Sequence, residues 1–346
     1  MMNRLKAPLL AAMAIAMAGC AGRTSGPRGE IEPVEAPRIL GIDDIGVEAV
    51  NARPSNAALK SESGPVVAAA QILLDRARFS VGVISGKANK NTALAIYWFQ
   101  KSQNLPATSA LDSVTYSRLV AVSGEVAPVA QVTVDAEMIA GPFIELPRDV
   151  YQQAKLRCLC YASVSEKIAE RFHSTIEMMR RLNPGVGFAA LKPGDKIWAP
   201  ALEPLSAAKA ISRIQVSKTG NYVHAFAKDG TIVFHFPSTL GSKYDPSPSG
   251  RYRVTGIAWD PVFRYDPELF SDVPDHKPGA RLPPGPNSPV GKVWIALSKA
   301  HVGIHGTPNP ETIGFASSHG CVRLTNWDAT RLGRAVPNGI PVEFTA

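Results

Sequence analysis

The chain has 346 residues, 45% of them hydrophobic, with 37 Lys and Arg against 29 Asp and Glu and a formal net charge of +8. That length accommodates two or three domains, and its four cysteines show no CxxC or zinc-ribbon spacing, which excludes a metal-ribbon fold. The cations are scattered and form no nucleic-acid motif, so the basic charge points to a different anionic partner, not nucleic acid.

Arg4 and Lys6 precede an apolar run from Pro8 to Ala18 that ends in small residues, the layout of a secretory signal. The run is too short to cross a bilayer. Its removal takes both cations and lowers the net charge from +8 to +6. Met17-Ala18-Gly19-Cys20 resembles a bacterial lipobox. The resemblance implies a signal peptide over 1–19 and a lipid on Cys20 that attaches the chain to membrane. Ala21, rather than Asp, implies the outer membrane; ordinary secretion with Cys20 discarded is the other reading. Residues 20–63 are rich in Gly, Pro, Glu and Ala with little periodicity, and read as a flexible tether.

Residues 64–121 read as three helices. Pro65 suits a first turn, and Ala70, Leu73, Leu74 and Ala77 recur at helical spacing. Asn91 or Thr92 caps a second helix carrying Ala95, Ile96 and Phe99, and Leu111-Asp112 opens a third. Gln71 to Leu74, Gly86, Thr92, Phe99-Gln100, Leu105, Thr115 and Leu119 resemble the three-helix peptidoglycan-binding domain, which implies glycan or peptide as partner. Residues 122–145 read as a linker with one strand.

Over 146–201 the expected order is a strand at 156–161, a helix capped by Ser163 or Ser165, a second helix at 175–182 and a strand at 196–198. This βααβ order resembles the LysM module, chiefly at Leu182-Asn183-Pro184 and Pro193-Gly194-Asp195. Ser163-Val164-Ser165 stands where that family commonly has Gly-Asp-Thr, so glycan binding and a spacer role stay open. Cys158 and Cys160 are two apart, a poor fit to disulfide geometry in an extended strand; they are either reduced or joined by an easily reduced bridge.

From 211 to 346, short apolar or alternating runs are punctuated by Gly220-Asn221 and Asp229-Gly230, with one clear helix at 327–332. The pattern predicts a mainly β, sandwich- or barrel-like catalytic domain. The whole chain is therefore expected to be multidomain: a small all-α three-helix domain, a small α+β module and the β domain. Residues 259–289 are dense in Pro and aromatics. They read either as a lid whose Trp259, Phe263 and Tyr265 pack on substrate or as a self-packed loop.

The chemistry concentrates in 301–332. Cys321 follows Ser318-His319-Gly320, and His305 lies sixteen residues upstream, directly before Gly306. A thiol needs a base to become a nucleophile and donors to hold the oxyanion of acyl attack. Cys/His acyl transfer, a zinc site from His301, His305, His319 and Cys321, and plain core packing all fit the residue types.

Ile304-His305-Gly306-Thr307, Ile313-Gly314 and Ser318-His319-Gly320-Cys321-Val322-Arg323 resemble the signature of the YkuD-type L,D-transpeptidases, bacterial enzymes that remodel peptidoglycan. Gly241, Ser247-Pro248-Ser249-Gly250, Pro284-Gly285-Pro286-Asn287 and Val290-Gly291 extend the likeness. The resemblance implies Cys321 as nucleophile, His305 as base and Gly306 orienting it through its carbonyl. It implies backbone amides of His319, Gly320 and Cys321 as the oxyanion hole, Ser318 and His319 shaping the site, and Arg323 facing substrate carboxylates. No metal or organic cofactor is implied. The expected substrate is a peptidoglycan tetrapeptide stem, cut between meso-diaminopimelate and D-Ala in the periplasm. The acceptor is a second diaminopimelate, a lysine of an outer-membrane lipoprotein, a free D-amino acid or water. An inert cell-wall tether is the competing class, and the intact Cys321/His305 pair argues against it.

Overall fold

The computed structural model describes residues 41–124, 126–203, 207–269 and 277–346. The expected signal peptide, Cys20 and the first half of the tether lie outside the described residues. Among those described, no helix is long and apolar enough to cross a membrane.

The second half of the expected tether is folded. Helix α1 (Val47–Asn51) and the flanking turns bury Ile45, Val50 and Leu59 in the same core as the helices that follow. The Asn51 amide exchanges hydrogen bonds with the backbone of Val129, donating to its carbonyl at 2.9 Å and accepting from its N–H at 2.8 Å. Three apolar side chains spread over 45–59 suffice to dock a short segment, although their spacing is too irregular for a periodic signal.

Helices α2 (Pro65–Arg76), α3 (Lys90–Ser102) and α4 (Ser113–Val122) pack around Leu73, Leu74, Ile96, Phe99 and Leu119. Pro65 sits at the first turn of α2, where its missing N–H costs nothing. Helix α3 is capped by Asn89, which accepts from the Thr92 N–H, and not by Asn91 or Thr92. Asn91 is thereby free to reach the C-terminal domain, where it donates to the Ile313 carbonyl at 2.9 Å.

Strand β1 (Val129–Thr133) pairs antiparallel with β2 (Lys196–Pro200), enclosing short helices α5 (Ala136–Ile139) and α6 (Val150–Gln153) and the pair α7 (Val164–Arg171) and α8 (Ile176–Leu182). The first strand of the βααβ unit therefore lies in the expected linker, and residues 156–161 form no strand. Those residues belong instead to an excursion inserted between β1 and α7. Its cysteines, Cys158 and Cys160, are disulfide-bonded with their Cα atoms 5.2 Å apart. An extended strand would separate them by about 6.6 Å, so it is the contracted backbone that admits the bridge. Leu159 between them is buried and clasps the C-terminal domain: its N–H donates to the Pro284 carbonyl and its carbonyl accepts from the Asn287 N–H, each at 2.9 Å.

The C-terminal domain is mainly β. Strands β3 (Arg213–Ser217), β4 (Tyr222–Phe226), β5 (Ile232–Pro237), β6 (Gly250–Trp259), β9 (Val293–Leu297), β10 (Gly303–His305), β11 (Val322–Arg323) and β12 (Pro341–Thr345) form one eight-stranded sheet in the order β11-β10-β9-β6-β12-β3-β4-β5. The β10–β11 and β12–β3 pairs are parallel; the others are antiparallel. Within 259–289, β7 (Phe263–Tyr265) pairs with β8 (Ala280–Leu282), so this stretch carries a two-stranded ribbon. Helix α9 (Asn326–Ala335), capped by Thr325, lays Ala329 and Leu332 on the face of the sheet that presents Val293, Ile295, Ile304 and Val322.

Polar ties join the helical parts to this domain. Asp75 of α2 accepts from Arg331 of α9 at 2.7 Å and from His173 at 3.1 Å, while Ser80 donates to Asp328 at 2.8 Å. Burial alone would raise the Asp75 pKa, but the charges of Arg331 and His173 outweigh it and hold the carboxyl well below the usual range.

Candidate active site

Register places Cys321 and His305. Ile304 pairs with Val322 and His305 with Arg323 across the parallel β10–β11 ladder, so Cys321 lies level with Gly303. Since strand side chains alternate, Ile304 and Val322 face the α9 core while Cys321, Arg323 and His305 share the opposite face. A strand spacing of about 4.8 Å and a two-residue offset of about 6.6 Å put the Cys321 and His305 Cα atoms about 8 Å apart. Side chains of these two types span that gap.

His305 is buried, and its Nδ1 lies 2.7 Å from the Gly306 carbonyl oxygen. A carbonyl only accepts, so Nδ1 carries the proton and Nε2 is left as the basic nitrogen. Burial drives the His305 pKa down to about 4; the Gly306 bond opposes the shift and the Arg323 charge adds to it. The ring is therefore neutral at physiological pH. Trp294, opposite His305 on β9, stacks on it with centroids 5.2 Å apart and planes 18° apart.

Asn326, the first residue of α9, braces this arrangement from below. Its Oδ1 accepts from the Lys292 N–H at 3.2 Å, and its Nδ2 donates to the Pro286 carbonyl and to Glu170 Oε2, both at 3.0 Å. Its side chain packs so closely on Gly291 and Gly306 that neither position has room for a Cβ.

The turn before Cys321 is held on its outer side. Ser318 Oγ donates to the Cys321 carbonyl at 2.6 Å. Ser247 Oγ accepts from the Gly241 N–H and donates to the Gly320 carbonyl, each at 2.9 Å. Gly320 has φ +104°, a conformation that a side chain would strain. In a trans peptide C=O and N–H point opposite ways, so tethering the Gly320 carbonyl to Ser247 turns the Cys321 N–H away from Ser247. Among the described residues, the N–H groups of Gly320 and Cys321 meet no acceptor.

The Cys321 thiol is partly exposed, with Sγ 3.5 Å from the His301 carbonyl. Burial raises its pKa; the Gly303 amide and the Arg323 charge pull the other way. Burial thus favours the uncharged form of both side chains, the thiol of Cys321 and the imidazole of His305. Arg323, two residues from Cys321 and level with His305, brings a cation to the same face.

Cys321, His305, Gly306, Ser318, Gly320 and Arg323 are brought together; His319, half-buried, lies in the same turn. Trp259 is not. It pairs with Val293, whose side chain faces α9, and it meets α9 together with Val293 and Ile257 around Gly333. The parity of β6 therefore sets Trp259 on the face away from Cys321, apart from the residues gathered around the thiol. Tyr265 packs edge-on to Tyr151 of the inserted excursion, ring centroids 6.4 Å apart. Among the described residues, no three His, Cys, Asp or Glu side chains are grouped to hold a metal ion. Trp294, Asn326 and Ser247 were not singled out individually by sequence reasoning. The Asn that follows the Thr325 cap carries no local sign of its bracing role.

Residues 211–343 match the family model of the L,D-transpeptidase catalytic domain, and 63–119 match that of a peptidoglycan binding domain. A Bacillus licheniformis protein assigned as L,D-transpeptidase YkuD is 30% identical over 180 residues, 52% of this chain and 92% of that protein. An Escherichia coli K12 protein assigned as L,D-transpeptidase YbiS is 26% identical over 185 residues, covering 52% of this chain and 59% of that protein. Among solved structures, an L,D-transpeptidase from Mycobacterium smegmatis superposes with a TM-score of 0.33 at 20% identity, over 43% of this chain and 65% of that one.

Proposed function

The chain belongs to the YkuD family of L,D-transpeptidases, and we propose that it acts by two-step acyl transfer through Cys321. His305 Nε2 takes the thiol proton, and the thiolate attacks the carbonyl between meso-diaminopimelate and D-Ala of a tetrapeptide stem. The oxyanion is held by the amides of Gly320 and Cys321, with His319 contributing to the same turn; one such donor is worth about 3–4 kcal/mol of barrier. The thioester forms as the C–N bond breaks, and His305 returns its proton to the departing D-Ala amine. An acceptor amine then attacks the thioester and regenerates the thiol. Gly306 and Trp294 keep the imidazole in place, the orienting role that a carboxylate fills in other triads. Arg323 binds a stem carboxylate.

The observation that carries this reading is the shared face of Cys321 and His305, with Nδ1 committed to Gly306 and Nε2 left as the base. The N-terminal helical domain binds the wall, and lipidation at Cys20 places the enzyme in the periplasm on the outer membrane. The acceptor is a second diaminopimelate or a lysine of an outer-membrane lipoprotein. Mass spectrometry of muropeptides after incubation with tetrapeptide-rich sacculi tests the mechanism. The unsubstituted protein is expected to yield dimers joined through two diaminopimelates, and C321A none. Tripeptides without dimers would replace transfer by hydrolysis, or by a lipoprotein acceptor if adding that lipoprotein produces conjugates. Equal products from C321A would sink the cysteine mechanism.

A further inference from the structure

A groove away from Cys321 and His305 runs where three parts of the chain meet. Its wide end, a cavity of about 750 Å3, lies between the α2–α3 loop, α8 and the 308–315 loop, and includes Lys87, Ile176, Arg180, Ile313 and Phe315. A narrower cavity of about 340 Å3 continues it, sharing Val83, Thr175, Ile176, Pro310 and Glu311. Neither Cys321 nor His305 lines either cavity. The size falls within the range of small-ligand sites. The walls are latched together: Asn91 donates to the Ile313 carbonyl at 2.9 Å, and Gly314, at φ +84°, packs so tightly against Asn91 that no Cβ fits.

Charge is divided along this groove. At the wide end Lys87 and Arg180 have no ion-pair partner among the described residues, whereas Arg181 and Glu177 neutralise each other at 3.0 Å. Lys90 stands beside them, 4.6 Å above the ring of Phe315, which is 53% exposed. Glu311 lies where the two cavities meet, and the narrow end adds Glu166 and Glu170 and no cation. A ligand complementary to this pattern carries carboxylates at one end, an ammonium at the other, and amide and apolar stretches between. The 308–315 wall also connects the His305 strand to the turn that carries Cys321. Thr239 Oγ1 accepts from the Gly314 N–H at 2.9 Å, and its backbone pairs with Arg323. A ligand in the groove therefore sits one loop away from the reactive thiol.

We propose that this groove binds a second peptidoglycan stem peptide, distinct from the one Cys321 attacks, with its carboxylates toward Lys87 and Arg180 and its free ammonium toward Glu311. The assignment of ligand rests on the transpeptidase reading above, but the site is tested without turnover. Calorimetric titration of the full-length C321A protein with a disaccharide-tetrapeptide containing diaminopimelate is expected to show binding that weakens about tenfold in K87E/R180E, as expected for two exposed charge contacts reversed. Raising the salt concentration should weaken binding to C321A but not to the triple variant. The rate of iodoacetamide alkylation of Cys321, in K87E/R180E with the cysteine retained, should be unchanged, which shows an intact fold and active site. Affinity unchanged by K87E/R180E, or a peptide-free disaccharide binding as well as the tetrapeptide form, would overturn the proposal. Loss of transpeptidation with groove binding preserved would instead count against the function proposed above and leave the groove standing.

Discussion

Replacing Asn326 by Ala tests whether the active site is braced from the start of α9. The substitution strands three buried or half-buried groups: the Lys292 N–H, the Pro286 carbonyl and the Glu170 carboxyl. Each stranded group costs about 1–3 kcal/mol, and water entering the vacated space recovers part of it. A net loss of about 3 kcal/mol follows, read as a lower urea midpoint at unchanged slope. The same side chain presses on Gly306, whose carbonyl fixes the His305 tautomer. With that support gone the imidazole drifts, and misplacement by about 1 Å costs on the order of 100-fold in rate. We therefore expect kcat for tetrapeptide turnover to fall about 10- to 100-fold with KM little changed. A stability loss under about 1 kcal/mol together with kcat within about twofold of the parent would refute the brace.

Four further outcomes follow from the same structure. His305 must be neutral to act as base, and its pKa is lowered to about 4, so kcat/KM should stay level as pH falls from 7 to 5 and drop only as it passes through about 4. Cys321 alkylation, which needs the thiolate, should still be rising above pH 9; a plateau below pH 8 would mean a resting thiolate–imidazolium pair instead. Asp75→Asn leaves the buried Arg331 guanidinium without its counter-charge and should cost about 3 kcal/mol. Because the Asp75 pKa is depressed in the fold, its contribution is complete above the unfolded value of about 4 and lost as pH falls below it, so D75N should flatten the acid limb of the stability profile. Trp259→Ala should leave donor KM unchanged, since that ring lies against α9; a several-fold rise in KM would put it back on the substrate side.

Local chemistry left Cys321 and His305 with several readings; the resemblance at His305-Gly306 and Ser318-His319-Gly320-Cys321 singled them out, and the β10–β11 register sets both on one face. The three helices were legible directly, because Pro65 and Asp112 mark their starts and apolar spacing fills their length. Position across a sheet was not. Trp259 reads as a lid aromatic until the pairing of β6 with β9 fixes its parity, and parity depends on a partner about 35 residues away. The strand expected at 156–161 has the right apolar content, but its backbone bonds go to Pro284 and Asn287, while β1 finds its partner in β2. Asn89 outcompetes Asn91 as a cap because it sits just ahead of the first turn, and only the tertiary fold explains what Asn91 does instead.

The bond between Arg331 and Asp75 spans 256 positions of sequence. During synthesis Asp75 emerges 256 positions ahead of its guanidinium partner. The α2 helix accordingly waits, with a carboxyl destined for burial still hydrated, until α9 is delivered. Completion of the earlier-made module is thus timed by the later one, a long-range pairing that slows commitment to the fold. A fragment beginning near residue 211 would lack Asp75, His173 and Glu170, and with them the partners that Arg331, Trp327 and Asn326 meet in the intact chain.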